Sequence, residues 1–146
     1  MSNCHFIGAS HLNLVYLPLP LAIQVRAGLS HFPSPAQDYE KNKVDLNLKL
    51  IRHPAATFLF EAVGDSMMGS GIFSGSVLVV DKAVKATNGS IVIAAYNGEW
   101  LVKRLQILSN EVRLLSENPA FEPVVLKEGE ELQVFGKVIH VITTLG

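Results

Sequence analysis

Ile91-Val92-Ile93-Ala94-Ala95-Tyr96-Asn97-Gly98-Glu99-Trp100-Leu101-Val102-Lys103 sets two apolar runs on either side of an Asn-Gly pair. A two-residue type I′ turn needs positive φ at both central positions, which asparagine and glycine tolerate, so this stretch predicts an antiparallel hairpin. The chain around it repeats the pattern. Short β-branched and aromatic runs occupy 57–63, 76–81, 90–96, 99–106, 111–115 and 132–143, separated by Gly, Asn, Ser and Glu clusters. The runs at 76–81 and 90–96 are almost wholly apolar, as expected of core strands in a compact mixed or antiparallel β fold. No internal repeat or long helix competes. Asp45 can cap a short helix through Leu46, Leu50 and Ile51, which Pro54 would end. Residues 1 to about 40, with prolines at 18, 20, 33 and 35, read as an extended N-terminal arm, leaving 41–146 as the β domain.

A length of 146 residues fits one domain with one core, and 49% hydrophobic against 17% charged residues gives it the apolar content to fold. Twelve basic and thirteen acidic residues leave a net charge of −1, with no Lys/Arg block to track a phosphate backbone, so direct sequence-specific DNA binding is not expected. The single cysteine, Cys4, cannot form an internal disulfide. His5, His11, His31, His53 and His140 show no zinc-site spacing, so neither metal nor cofactor is expected, and a reducing compartment fits. The apolar stretch Leu12 to Val25 is short, broken by Pro18 and Pro20 and without a basic leader, which argues for a soluble arm rather than a membrane span.

At the end of the run Thr57 to Val63, the turn Gly64-Asp65-Ser66-Met67 presents a hydroxyl. Turn chemistry alone accounts for it, unless a base lies elsewhere, because a serine is a poor nucleophile until its proton is removed. His53 and His140 have no orienting carboxylate at a recognisable spacing. Lys103 shares a strand face with Leu101 and Leu105. Its ammonium either snorkels to water or, if buried, loses about 3 to 5 units from a pKa of about 10.4 and becomes a usable base. The residues alone leave both readings open. Asp65 and Asp81 read as local hydrogen-bonding groups, Glu128, Glu130 and Glu131 as a solvated acidic turn, and Cys4 has no assigned role.

Several strings occur together and in order: Phe32-Pro33-Ser34-Pro35-Ala36-Gln37-Asp38-Tyr39, Asp45-Leu46-Asn47, His53-Pro54-Ala55-Ala56-Thr57, Gly64-Asp65-Ser66-Met67, Val79-Val80-Asp81, Ile91-Val92-Ile93-Ala94, Val102-Lys103-Arg104-Leu105 and Phe135-Gly136-Lys137-Val138-Ile139-His140. With them the sequence resembles the UmuD family of SOS mutagenesis proteins, relatives of the LexA repressor's self-cleaving domain and, more distantly, of bacterial signal peptidases. The resemblance covers nearly all of residues 32–142. It implies a mostly β, curled domain of the LexA and signal peptidase type. It also implies a serine endopeptidase with Ser66 as nucleophile, Lys103 as general base, and Asp65 and Met67 as pocket or oxyanion candidates.

The substrate implied is the chain's own arm, cut between a small residue and a glycine directly before Phe-Pro-Ser-Pro. Here Ala27-Gly28 is the matching pair, but Leu29-Ser30-His31 intervenes before Phe32. Ser30-His31 is the fallback, in direct alignment with the usual site. The resemblance further implies a cytoplasmic homodimer whose cleavage is stimulated by a RecA nucleoprotein filament. Its truncated form, about 28–146, would assist a UmuC-like Y-family DNA polymerase in translesion synthesis. The alternatives are a non-cleaving polymerase-binding scaffold and a LexA-type repressor fragment. The latter needs a helix-turn-helix that some thirty proline-interrupted residues cannot supply.

Overall fold

A computed structural model of the chain describes residues 3–9, 19–20 and 43–146. These fall into two units, 3–9 with 53–146 and 19–20 with 43–52. In the smaller one, β2 (Leu19–Pro20) and β3 (Lys43–Val44) pair antiparallel, and α1 (Leu46–Leu50) follows. The cap is the expected one: Asn47 N–H donates to Asp45 Oδ1 at 2.8 Å. The helix stops after a little over one turn because Ile51 is already extended, and Pro54 opens a 3₁₀ turn, Pro54–Ala56.

The larger unit is a single curled sheet of eight strands: β1 (Cys4–Ala9), β4 (Thr57–Ala62), β5 (Val77–Asp81), β6 (Ile91–Tyr96), β7 (Glu99–Ile107), β8 (Val112–Leu115), β9 (Val124–Val125) and β10 (Leu132–Ile142). Their order across the sheet is β1-β4-β5-β10-β6-β7-β8-β9. Every ladder is antiparallel, so of the two expected arrangements the antiparallel one holds. The Asn-Gly hairpin is where the sequence puts it. Tyr96 faces Glu99, and Asn97 and Gly98 take φ of 48° and 80°, both positive as a type I′ turn requires.

The apolar runs of β6 and β7 are continuous because both faces of this part of the sheet are covered. Ile93 and Val102 join one core cluster with Phe60, Leu78 and Val80, while Val92, Ala94, Leu101 and Leu105 join a second with Leu114. The first cluster continues into an aromatic group. Phe60 packs edge-on against Phe6, Trp100 and Phe135 with centroids 5.4 to 5.6 Å apart.

Besides the short β2–β3 pair of the smaller unit, two strands of this sheet were not legible in the sequence. β9 has only two residues. β1 falls inside the stretch read as arm, and its Cys-His-Phe-Ile-Gly-Ala sequence has no alternation of its own; the edge of β4 gives it strand geometry.

Candidate active site

A cavity of about 710 Å³ opens between the turn that follows β4 and the face of β7, with Ser66, Lys103, Asp65, Asn3, Ser116 and Phe121 among its lining residues. Ser66 stands on the turn leaving β4. Gly64 turns the chain with φ +83°, and Met68 N–H closes on the Asp65 carbonyl at 3.3 Å. The next residue, Met67, is 2% exposed and sits in the core cluster of Phe60 and Leu78, so it anchors the turn rather than lining the pocket as expected.

A second segment grips this turn from the far end of β8. Glu117 N–H donates to the Ser66 carbonyl at 2.8 Å, Gly69 N–H to the Glu117 carbonyl at 2.8 Å, and Asn118 Nδ2 to the Asp65 carbonyl at 2.9 Å. Gly69 is required at that crossing, since a Cβ there would lie 2.7 Å from the Glu117 carbonyl oxygen. Arg104 adds an ion pair to Glu117 and a 3.1 Å hydrogen bond to Ser70 Oγ. None of the described hydrogen bonds uses the backbone N–H of Ser66 or Met67.

Lys103 lies on β7 opposite Val92, 7% exposed, on the face it shares with Leu101 and Leu105. Its Nζ donates to Ser116 Oγ at 2.7 Å and lies 5.7 Å from the centre of the Phe121 ring. Burial holds its pKa below the ordinary lysine value, with the neighbouring Cys4 a smaller, opposing influence. Cys4 is buried beside it, and burial pushes its thiol up to about 12 against the pull of Lys103. Snorkelling is therefore not what this side chain does.

Ser66 and Lys103 thus meet in one cavity, yet no hydrogen bond joins them. Ser66 Oγ instead accepts from Asn3 Nδ2 at 2.9 Å. Asn3 also donates through Nδ2 to the Val102 carbonyl at 2.9 Å and accepts the Val102 N–H on Oδ1 at 2.6 Å. Neither Asn3 nor Ser116 was singled out in the sequence, because nothing in their local pattern shows which strand they would reach. The paired bonds Ala27-Gly28 and Ser30-His31 lie outside the described residues.

His53 does have an orienting carboxylate: its Nδ1 is 2.6 Å from Asp81 Oδ2, while Ala83 N–H donates to Asp81 Oδ1 at 2.8 Å. The two are distant in sequence and become neighbours because the 3₁₀ turn before β4 sits at the end of β5. Neither residue lines the cavity of Ser66, so no Ser-His-Asp triad forms there. Glu130 is more than a solvated carboxylate, since it accepts from Tyr96 Oη and Asn97 Nδ2 and so ties the acidic turn to the Asn-Gly hairpin. Among the described residues no group of three His, Cys, Asp or Glu side chains could hold a metal ion, and no described helix is long and apolar enough to cross a membrane.

The Peptidase S24-like family matches residues 20–139. The chain belongs to this family. Protein SamA of Salmonella typhimurium is 52% identical over 107 residues, covering 73% of this chain and 74% of SamA. Protein ImpA, in the same species, is 45% identical over 117 residues, 76% of this chain and 75% of ImpA. Protein MucA is 40% identical over 110 residues, 75% of each chain. These relatives are UmuD-like SOS mutagenesis proteins, in keeping with the resemblance that the ordered strings carry. The curled, mostly β sheet is the fold of the family.

Proposed function

We propose that Ser66 and Lys103 are the nucleophile and general base of a self-cleaving serine peptidase that cuts the chain's own arm at Ala27-Gly28. The observation that supports it most is a lysine buried on an apolar face, with its pKa lowered, sharing a cavity with a turn serine in a chain of the S24 peptidase family. In the neutral form Lys103 Nζ takes the Ser66 proton as Oγ attacks the Ala27 carbonyl carbon. The oxyanion is held by the backbone N–H groups of the Ser66–Met67 turn. The same proton then passes to the Gly28 nitrogen as the C–N bond breaks, leaving an Ala27 ester on Ser66 that water hydrolyses. Lysine thereby does both transfers.

In this reading the fragment from Gly28 onward is the active form. It acts as a homodimer in the cytoplasm with a UmuC-like Y-family polymerase, and a RecA filament favours docking of the arm in the cleft rather than altering the chemistry. A second reading, a non-cleaving polymerase-binding scaffold, draws on the missing hydrogen bond between Ser66 and Lys103.

Intact mass spectrometry after incubation at neutral and mildly alkaline pH separates the two. A fragment starting at Gly28, produced faster at alkaline pH and absent from Ser66→Ala and Lys103→Ala, is the expected result. A cut after Ser30 keeps the mechanism and moves the bond. A chain left intact at alkaline pH, and also with RecA filament, leaves the scaffold.

A further inference from the structure

In the cavity where that chemistry would occur, the strand position beside Ser66 is taken by a segment of the chain itself, and the rest of the space is open. Asn3 lies between the end of β4 and β7 and engages backbone on both sides. Its N–H donates to the Trp100 carbonyl at 3.2 Å, and its carbonyl accepts the Val63 N–H at 2.8 Å. Its carboxamide takes both the N–H and the carbonyl of Val102 and donates to Ser66 Oγ. From there β1 runs antiparallel along β4, Cys4 opposite Ala62, with Phe6 resting on Phe58 and Phe60 at 6.1 and 5.6 Å between ring centres and His5 Nε2 3.4 Å from Glu61 Oε2.

An extended peptide that enters such a groove binds by adding itself as a strand, and its affinity comes from the main-chain groups of the neighbouring strands. Here the Val63 N–H, the Trp100 carbonyl and both Val102 groups are the ones at hand, and Asn3 engages all of them. A peptide carbonyl has to come within about 3 to 3.5 Å of the serine oxygen for attack. The Asn3 carboxamide nitrogen sits in that space, and its N–H points a donor at the lone pair that would attack.

From this we infer that the groove between β4 and β7 is a strand-binding site for an extended peptide, that its resting occupant is the chain's own Asn3–Ala9 segment, and that the scissile segment must displace it. The inference rests on the peptidase reading of the cavity. The hold is suited to displacement. β1 is an edge strand whose register breaks between Phe6 and Gly8, Phe6 and Ile7 are half exposed, and only Cys4 of its side chains is buried. Any activator that lifts this strand would start cleavage without touching Ser66 or Lys103.

The test pairs two readouts on the full-length chain. Cys4 is the single cysteine, so alkylation by iodoacetamide in a Ser66→Ala background measures how often β1 opens, whether or not the protein cleaves. Self-cleavage of the Ser66 form measures access to the groove. Asn3→Gly removes the carboxamide contacts. Phe6→Ser loosens β1 without changing a group in the cavity. Both variants should speed Cys4 alkylation, and self-cleavage should rise with it, by about tenfold for Asn3→Gly, the worth of one to two net hydrogen bonds. Faster alkylation with unchanged or slower cleavage would overturn the inhibitory role while leaving the peptidase intact. Unchanged alkylation in both variants would overturn the displaceable strand. If alkylation rose but no form cleaved, wild type included, the peptidase reading would fall and the inhibitory role with it.

Discussion

Lys103 donates to Ser116 Oγ, and that bond holds the amine in place at the cavity. The hydroxyl also stabilises the charged form by accepting from it, so losing it should lower the lysine's pKa further. Ser116→Ala is therefore expected to cut the self-cleavage rate about tenfold while moving the midpoint of its pH profile downward. Threonine at 116 should restore both, and a residue that merely supports the fold would not shift the midpoint. Cys4 and Lys103 have opposite linkages. The folded lysine releases its proton below its ordinary 10.5, so stability rises with pH between the folded value and 10.5. The thiol, raised from 9.0 to about 12, stays protonated in the folded chain after the unfolded chain has lost its proton, so its contribution falls as pH climbs from 9.0 to about 12. In a Ser66→Ala background, which cannot cut itself, urea midpoints should change little between 9.0 and 10.5, where the two linkages oppose each other, and decline from 10.5 towards about 12; the added Cys4→Ala change should remove most of that decline.

At the level of strands, Phe60 carries the most, because one ring on β4 contacts β1, β7 and β10 at once. Phe60→Ala should cost about 3 to 5 kcal/mol by denaturant titration, and Cys4 should become reactive before the sheet as a whole unfolds. The strands that the sequence announced are those whose own residues dictate them. Asn97-Gly98 demands a turn, and Val77–Asp81 and Ile91–Tyr96 are too apolar to lie anywhere but in a core. Ser66 and Lys103 stood out only in part: a hydroxyl on a turn and a cation among leucines left the bland reading of each open, and their proposed roles came from the ordered strings of the family resemblance. β1, Asn3, Ser116 and the Asp81 partner of His53 were not, because each is defined by what the fold brings to it from a distant part of the chain. A carboxamide near the start of a chain, or a serine after a strand, carries no local mark of the strand it will meet.

Across the whole unit, the His53–Asp81 pair and the cavity of Ser66 are separate. His53→Ala leaves the fully buried Asp81 carboxylate without its imidazole partner, and should lower stability by about 1 to 3 kcal/mol in thermal or urea unfolding while the pH profile of self-cleavage keeps its midpoint. A shifted midpoint would mean that the two places communicate. β10 has the wider reach. It lies between β5 and β6 and is the ladder through which the β4–β5 pair, leading to Ser66, joins the β6–β7–β8 meander that carries Lys103. A ribosome makes the arm first and β10 after every other strand of the sheet. Ala27-Gly28 is therefore synthesised well before a sheet exists that could hold the proposed nucleophile and base together, so the proposed cut has to wait for the finished chain.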